Sequence, residues 1–188
     1  MGTIGTKPIT VEDFKKLDLP EDREWELQNG EVVEMSLPKL VHRRLQHRIQ
    51  KLCKQAFPDA AVLTEYPFEV QSSNDLRSAD VGVTTKQRAF ASTEKGALIG
   101  APELVVEVLS PSNSVYNMKR YRRLCFENGT QVFLLVDPDD NTVEVHLHPD
   151  KQDRVLRPGE VLTLSLFGEQ ETIPVAAIFS GITLPAGH

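Results

Sequence analysis

Cysteine is scarce in this 188-residue chain, tryptophan occurs once, and no long apolar run is present. Each shortage excludes something. Two cysteines, Cys53 and Cys125, are too few and too widely spaced for a disulfide framework or a zinc site. Both fall at apolar positions of predicted helices and read as reduced core thiols. No stretch reaches the ~18 apolar residues of a membrane-spanning helix, and the N-terminus lacks the apolar segment of a secretory signal. The expected location is the cytoplasm, with no membrane partner. Internal repeats and low-complexity tracts are also missing, which excludes a solenoid and long flexible linkers. A net charge of −6 disfavours a constitutive polyanion binder, though not a local basic surface.

What is present is ordinary globular composition, 40% apolar and 26% charged, in a length that fits one domain burying about 70% of its unfolded surface. Residues 1–12 read as a loose leader, and residues 11–19 as a short helix with Thr10 as N-cap and Asp13 three residues on. Residues 24–35 read as a hairpin, because Asn29-Gly30 supplies the two positive φ angles of a type I′ turn. Residues 39–57 carry an apolar stripe of Leu40, Val41, Leu45, Ile49, Leu52, Cys53 and Ala56 at helical spacing. The other face of that helix holds Lys39, His42, Arg43, Arg44, His47, Arg48, Lys51 and Lys54 without one acid. It is either a solvated face or a phosphate-facing surface, with Arg43, Arg44, Arg48 and Lys51 as the candidate nucleic-acid contacts.

Strands follow at 62–70, interrupted by Glu65 and Glu69, and at 80–83. A linker with one helical turn spans 84–100. Residues 104–109 form a continuous apolar strand of the kind buried on both faces. A helix over 114–127 ends at Asn128-Gly129, and strands at 131–136 and 142–147 come next. The tail reads as one or two edge strands and a terminal turn. The strands at 104 and 131 should run parallel, joined by the helix between them. The fold class is α/β.

The chemically informative residue is Glu107, a carboxylate inside the apolar strand. Burying an unpaired charge there is costly. Two readings stand open: a buried ion pair with Arg120, Arg122 or Arg123, or a hard divalent cation held jointly with Asp80. Mg²⁺ favours one or two carboxylates plus waters and phosphate oxygens, and would support phosphodiester hydrolysis. Glu103, on the same strand face at its start, should reach solvent.

The surrounding segments resemble the Uma2 family. Leu19-Pro20-Glu21-Asp22, Trp25-Glu26-Leu27-Gln28-Asn29-Gly30, Met35-Ser36 and His42 look like its opening. Arg77-Ser78-Ala79-Asp80-Val81 sits where the family has R-x-P-D-V. Residues 100–113 match its P-D-L-V-V-E-V-L-S-P-S segment, and Asn128-Gly129 with Phe133-Leu134-Leu135-Val136-Asp137-Pro138 matches a further one. The resemblance runs from about residue 9 to the C-terminus. It implies a single endonuclease-like domain over 1–188 with a PD-(D/E)XK restriction-endonuclease-like core: a mixed central sheet flanked by helices, with an N-terminal hairpin. It implies Asp80 and Glu107 as metal-binding carboxylates for Mg or Mn, with the Val108 carbonyl as a further ligand, and Glu26 and His42 lining the same cleft. DNA is the implied substrate, and a homodimer is a candidate assembly.

The nuclease motif also needs a lysine. Two residues after Glu107 stands Leu109, and the family's alternative position on the next helix is Tyr121, with Asn117 four residues earlier at an acidic position and Ala79 in place of the proline before Asp80. Lys119 is about 200° from Tyr121 around the helix, and Arg120 and Arg122 about 100°. A tyrosine with an ordinary pKa near 10 is a poor base. Two functions therefore remain: a metal-dependent endonuclease with Asp80, Glu107, Glu26, His42 and Tyr121 as its catalytic set, or a degenerate member serving as a binding or regulatory module.

Overall fold

The computed structural model describes residues 8–35, 39–92, 96–110 and 115–182. The chain begins with a one-turn helix α1 (Val11–Phe14), shorter than the 11–19 expected, closed by a reciprocal capping box between Thr10 and Asp13. The expected loose leader is in fact anchored from Ile9 onward: the Ile9 N–H donates to the Gly30 carbonyl at 3.0 Å, and Val11 is buried with Phe14 and Leu27. Residues 1–7 lie outside the described ones.

The hairpin of β1 (Glu24–Gln28) and β2 (Glu31–Met35) turns at Asn29 and Gly30, with φ of 52° and 78° as a type I′ turn demands. Helix α2 (Leu40–Ala56) follows the apolar period and buries Leu45, Ile49 and Cys53. Strands β3 (Ala60–Val70) and β4 (Asp75–Thr85) are eleven residues each and pair antiparallel along their length. The helical turn expected in the linker is α3 (Lys86–Ala91), followed by the two-residue strand β5 (Leu98–Ile99), which pairs with β3.

Strand β6 (Leu104–Val108), helix α4 (Val115–Glu127) and strand β7 (Val132–Asp137) form the expected crossover, with β6 and β7 parallel. Residues 111–114, where the sequence starts the helix, lie outside the described ones. The sheet continues through β8 (Thr142–His146) and β9 (Arg154–Leu156), giving the order β2-β1-β4-β6-β7-β8-β9 with β3 on the other edge of β4. A separate hairpin of β10 (Val161–Leu166) and β11 (Glu169–Pro174) and the short helix α5 (Val175–Phe179) complete the chain. No helix among the described residues is long and apolar enough to cross a membrane.

The apolar side chains fall into two main clusters, one on each face of the sheet. One joins Leu45, Ile49, Cys53 and Phe57 beneath α2 to Val81, Val83, Leu104, Val106 and Val108. The other joins Met118, Tyr121 and Cys125 of α4 to Tyr66, Phe68, Ala79, Val105 and Phe133. Both cysteines are free and buried, and burial pushes the Cys53 thiol up to about 12 and Cys125 higher still, so both are inert as nucleophiles.

Gly82 lies on β4 two residues from Asp80, and a Cβ there would stand 2.6 Å from Tyr66 Cδ1 and 3.0 Å from Pro102 Cγ. Gly82→Ala is expected to destabilise the fold by about 1–3 kcal/mol through overpacking. In a chain of this size that lowers the melting temperature by about 2–4 °C per kcal/mol. An unchanged thermal melt followed by circular dichroism would contradict the tight seat given to Tyr66.

Candidate functional site

The site is built where the sheet forks. The edge of β4 that faces away from β3 accepts β1 at one end, through Leu27 opposite Leu76, and β6 at the other, through residues 81–83. Between them, on this edge, Ser78 and Asp80 have no strand to pair with. Buried backbone N–H groups must find acceptors, and here side-chain carboxylates supply them. Glu26 Oε1 accepts from the Ser78 N–H at 2.9 Å, and Glu107 Oε1 accepts from the Asp80 N–H at 3.2 Å. The Tyr121 hydroxyl donates to the Ser78 carbonyl at 3.1 Å. In return, the Val108 N–H donates to Asp80 Oδ2 at 2.6 Å. One step beyond the last β4–β6 pair, Val81 with Val106, the register would place Asp80 opposite Glu107.

Glu65 stands opposite Asp80 where the β3–β4 ladder is irregular. It has φ of 46°, a left-handed conformation rare for a glutamate, at the one place in the β3–β4 ladder where Asp80 would be its partner. The alternation of faces slips there. Val62, Val81 and Val83 pack under α2, whereas Tyr66, Phe68 and Ala79 pack under α4. Asp80, next after Ala79, takes the α2 face, and the alternation breaks between it and Val81. There Asp80 Oδ1 meets His42 Nε2 at 2.9 Å and accepts from Gln46 Nε2 at 2.8 Å, two residues one helical turn apart. Gln46 Nε2 also donates to Glu65 Oε1 at 2.5 Å. Glu107 reaches the fork from the α4 face.

The electrostatics are those of a site with too much negative charge. Burial, and then the charge of Asp80, push the Glu107 carboxyl well above the usual carboxylate range. Burial likewise raises Glu65, with Asp80 adding to the effect against the Gln46 hydrogen bond. Burial alone would lower His42, but its hydrogen bond to Asp80 and the Asp80 charge outweigh this and hold the imidazole above its ordinary value. On the far side of the fork, Arg77 Nε donates to Glu26 Oε2 at 2.7 Å, and its guanidinium carbon stands 4.5 Å over the Tyr121 ring. Burial and the Glu107 charge raise the Tyr121 phenol well above its usual value.

The structure thus brings Glu26, His42, Asp80, Glu107, Val108 and Tyr121 around one fork. The ion pair considered for Glu107 does not form: Arg122 donates to the Pro149 carbonyl and Arg123 pairs with Asp150. Glu103 does not reach solvent; it is buried and paired with Arg88 at 2.8 Å. Arg120 lies beside Arg77 and Tyr121 in a pocket of about 150 Å³ behind the fork. The basic residues of α2 are less gathered. Arg43 is exposed and close enough to act on His42, but Arg44 and Lys51 are each about half a turn round the helix from His42. Arg48 donates to the Ser180 carbonyl at 2.9 Å, tying α2 to the end of α5.

Gln46 and Glu65 were not singled out by the sequence. A polar residue on the apolar face of α2, one turn after His42, was the available sign of Gln46. Glu65 needed the register with Asp80. Among the described residues, no three His, Cys, Asp or Glu side chains gather as a ready-made metal cluster. Two carboxylates and a backbone carbonyl fit the hard, partly hydrated coordination of Mg²⁺ better than an all-protein cage.

Because the folded state favours the proton on Glu107, it binds more protons than the unfolded chain between the ordinary carboxylate range and the higher folded value. Stability without metal should therefore fall as pH rises through that window. Glu107→Gln keeps an oxygen for the Asp80 N–H and removes the charge. It should flatten this slope and raise the melting temperature at neutral pH, by about 2–4 °C for each kcal/mol relieved. A variant that melts at or below wild type across the range would contradict the repulsion.

A family model, Uma2, described as "Putative restriction endonuclease", matches residues 11–185. A solved structure of "a putative nuclease belonging to DUF820 from Anabaena variabilis ATCC 29413" superposes with a TM-score of 0.77 at 23% identity, over 94% of this chain and 100% of that one. No curated protein matches the sequence. At that identity the structural likeness speaks to the fold alone, and it agrees with the mixed sheet flanked by helices expected of a restriction-endonuclease-like core. With the model match running through nearly its whole length, the chain belongs to the Uma2 family.

Proposed function

We propose that the chain is a metal-dependent endonuclease acting on DNA phosphodiester bonds, with Asp80 and Glu107 as the carboxylates that hold Mg²⁺ or Mn²⁺. The observation that carries this reading is the meeting of two carboxylates at the fork, where Glu107 Oε1 accepts from the Asp80 N–H at 3.2 Å and Asp80 Oδ2 accepts from the Val108 N–H at 2.6 Å. Burial and the Asp80 charge favour the protonated form of Glu107, in keeping with a functional carboxylate pair. The donors are hard oxygens, and the Val108 carbonyl is the third candidate. Such a cation, when bound, activates water and neutralises charge developing on a phosphate.

The remaining steps fall to the chain's own residues. His42 holds Asp80 Oδ1 from the α2 side while Val108 N–H holds Oδ2, so the carboxylate is fixed at both oxygens. Glu26 and Arg77 close the opposite wall as an ion pair. Arg43, exposed next to His42, and Arg44 and Lys51 farther round α2, are the groups that would meet DNA phosphates; Arg48 contributes less because its guanidinium is tied to Ser180. Tyr121 does not act as the base. Its ring is buried against Phe68 and Phe133, its hydroxyl is committed to Ser78, and its proton is held more tightly than in free tyrosine.

That last observation favours a second reading. The family's lysine position holds Tyr121, and the neighbouring Arg77 is paired with Glu26. A chain so altered would retain the fold as a binding or regulatory module, alone or as a homodimer. Cleavage of plasmid DNA distinguishes the two. The endonuclease reading expects cleavage with Mg²⁺ or Mn²⁺ that Asp80→Ala and Glu107→Ala abolish. Wild type inert with both metals, together with cleavage gained in Tyr121→Lys, would establish the binding module instead. In either reading Arg43→Glu should weaken DNA binding and reduce the slope of log affinity against log salt by about 1; an unchanged slope would remove α2 from the DNA surface.

A further inference from the structure

We propose that Gln46 and Glu65 act as a clamp that positions Asp80, so that this carboxylate reaches the fork in a metal-binding orientation. The proposal rests on the reading of Asp80 as a metal ligand and extends it to two residues on two other elements.

Three observations support it. Gln46 is a buried amide on the apolar face of α2, 3% exposed, where a leucine-like side chain would otherwise continue the stripe of Leu45, Ile49 and Cys53. Its single Nε2 group donates to both Glu65 Oε1 and Asp80 Oδ1, so its two protons are divided between two carboxylates. Glu65 adopts a left-handed backbone that a glutamate pays for with strain, at the ladder position opposite Asp80. The residue opposite Asp80 in the ladder thus anchors the amide that holds Asp80 on the α2 face.

The division of labour follows from geometry. His42 and Gln46 approach Asp80 Oδ1 together, and the Val108 amide takes Oδ2. Glu65 fixes the Gln46 carboxamide with its nitrogen toward Asp80. If the amide turned over, its oxygen would face the carboxylate and repel it. Residues that orient a ligand from behind typically change metal affinity 10–100-fold when removed. Neither Gln46 nor Glu65 is a catalytic residue in this scheme; each acts through Asp80.

The test is Mn²⁺ binding measured by calorimetry on the full chain, with thermal melts in metal-free buffer as the control for folding. Gln46→Leu keeps the packing and removes the donor; it should weaken Mn²⁺ binding 10–100-fold. Glu65→Ala removes the anchor and should weaken binding in the same direction, whereas Glu65→Gln keeps an acceptor oxygen for Gln46 and should restore most of the affinity. Glu65 as a residue is far more exposed than Gln46, although its carboxylate turns inward to Gln46, so its variants report even where Gln46→Leu fails to fold. Wild-type affinity in both Gln46→Leu and Glu65→Ala, with Asp80→Asn losing Mn²⁺, would overturn the clamp and leave the metal site standing. Equal loss in Glu65→Ala and Glu65→Gln would also overturn it. Asp80→Asn binding Mn²⁺ like wild type, or a wild-type chain that binds none, would overturn the metal site and the clamp with it.

Discussion

The fold turns on an unfinished hydrogen-bond ladder. Strand β4 gives one end of its free edge to β1 and the other to β6, and the amides of Ser78 and Asp80 are stranded between them. An unsatisfied buried amide costs about 1–3 kcal/mol, so the gap has to be filled by side chains. Glu26 and Glu107 fill it as acceptors, and Asp80 answers with the Val108 amide. The carboxylates are therefore structural before they are chemical. Their placement is dictated by where two neighbouring strands fail to meet.

That structural use has an electrostatic consequence. Glu26, Asp80 and Glu107 converge from three strands, with Glu65 adding a fourth carboxylate on the α2 side. Arg77 is the cation within reach, and it serves Glu26 first. Glu107 responds by favouring its protonated form, and His42 by favouring its charged one. Both shifts include the charge of Asp80 among their causes, working with burial at Glu107 and against it at His42. Tyr121 adds no positive charge. Its phenol braces the Ser78 carbonyl, and its ring makes a floor for Arg77.

Much of this was legible in the sequence. The Asn29-Gly30 turn, the apolar period of α2 and the continuous apolar strands β6 and β7 each follow from local chemistry, and each appears where the pattern placed it. Glu107 announced itself as a charge in an apolar strand. What stayed hidden depended on register. The full eleven-residue length of β3 and β4, the left-handed Glu65 and the turn of Asp80 onto the α2 face arise from pairing between strands, which no local window contains. The same holds for Glu103, whose partner Arg88 sits on a helix in a segment read mainly as linker. Tyr121 was identified by alignment to the family pattern, but its commitment to Ser78 and Arg77 required the fold.

The proposed divalent-cation site lies at the fork between Asp80 and Glu107. The most direct measurement is a crystal structure of the wild-type chain soaked in Mn²⁺ and recorded at a wavelength where manganese scatters anomalously. The predicted result is a single anomalous peak within coordination distance of oxygens of both Asp80 and Glu107. Crystals saturated with Mn²⁺ that show no peak there, with the Asp80–Val108 and Glu107–Asp80 hydrogen bonds unchanged, would contradict it.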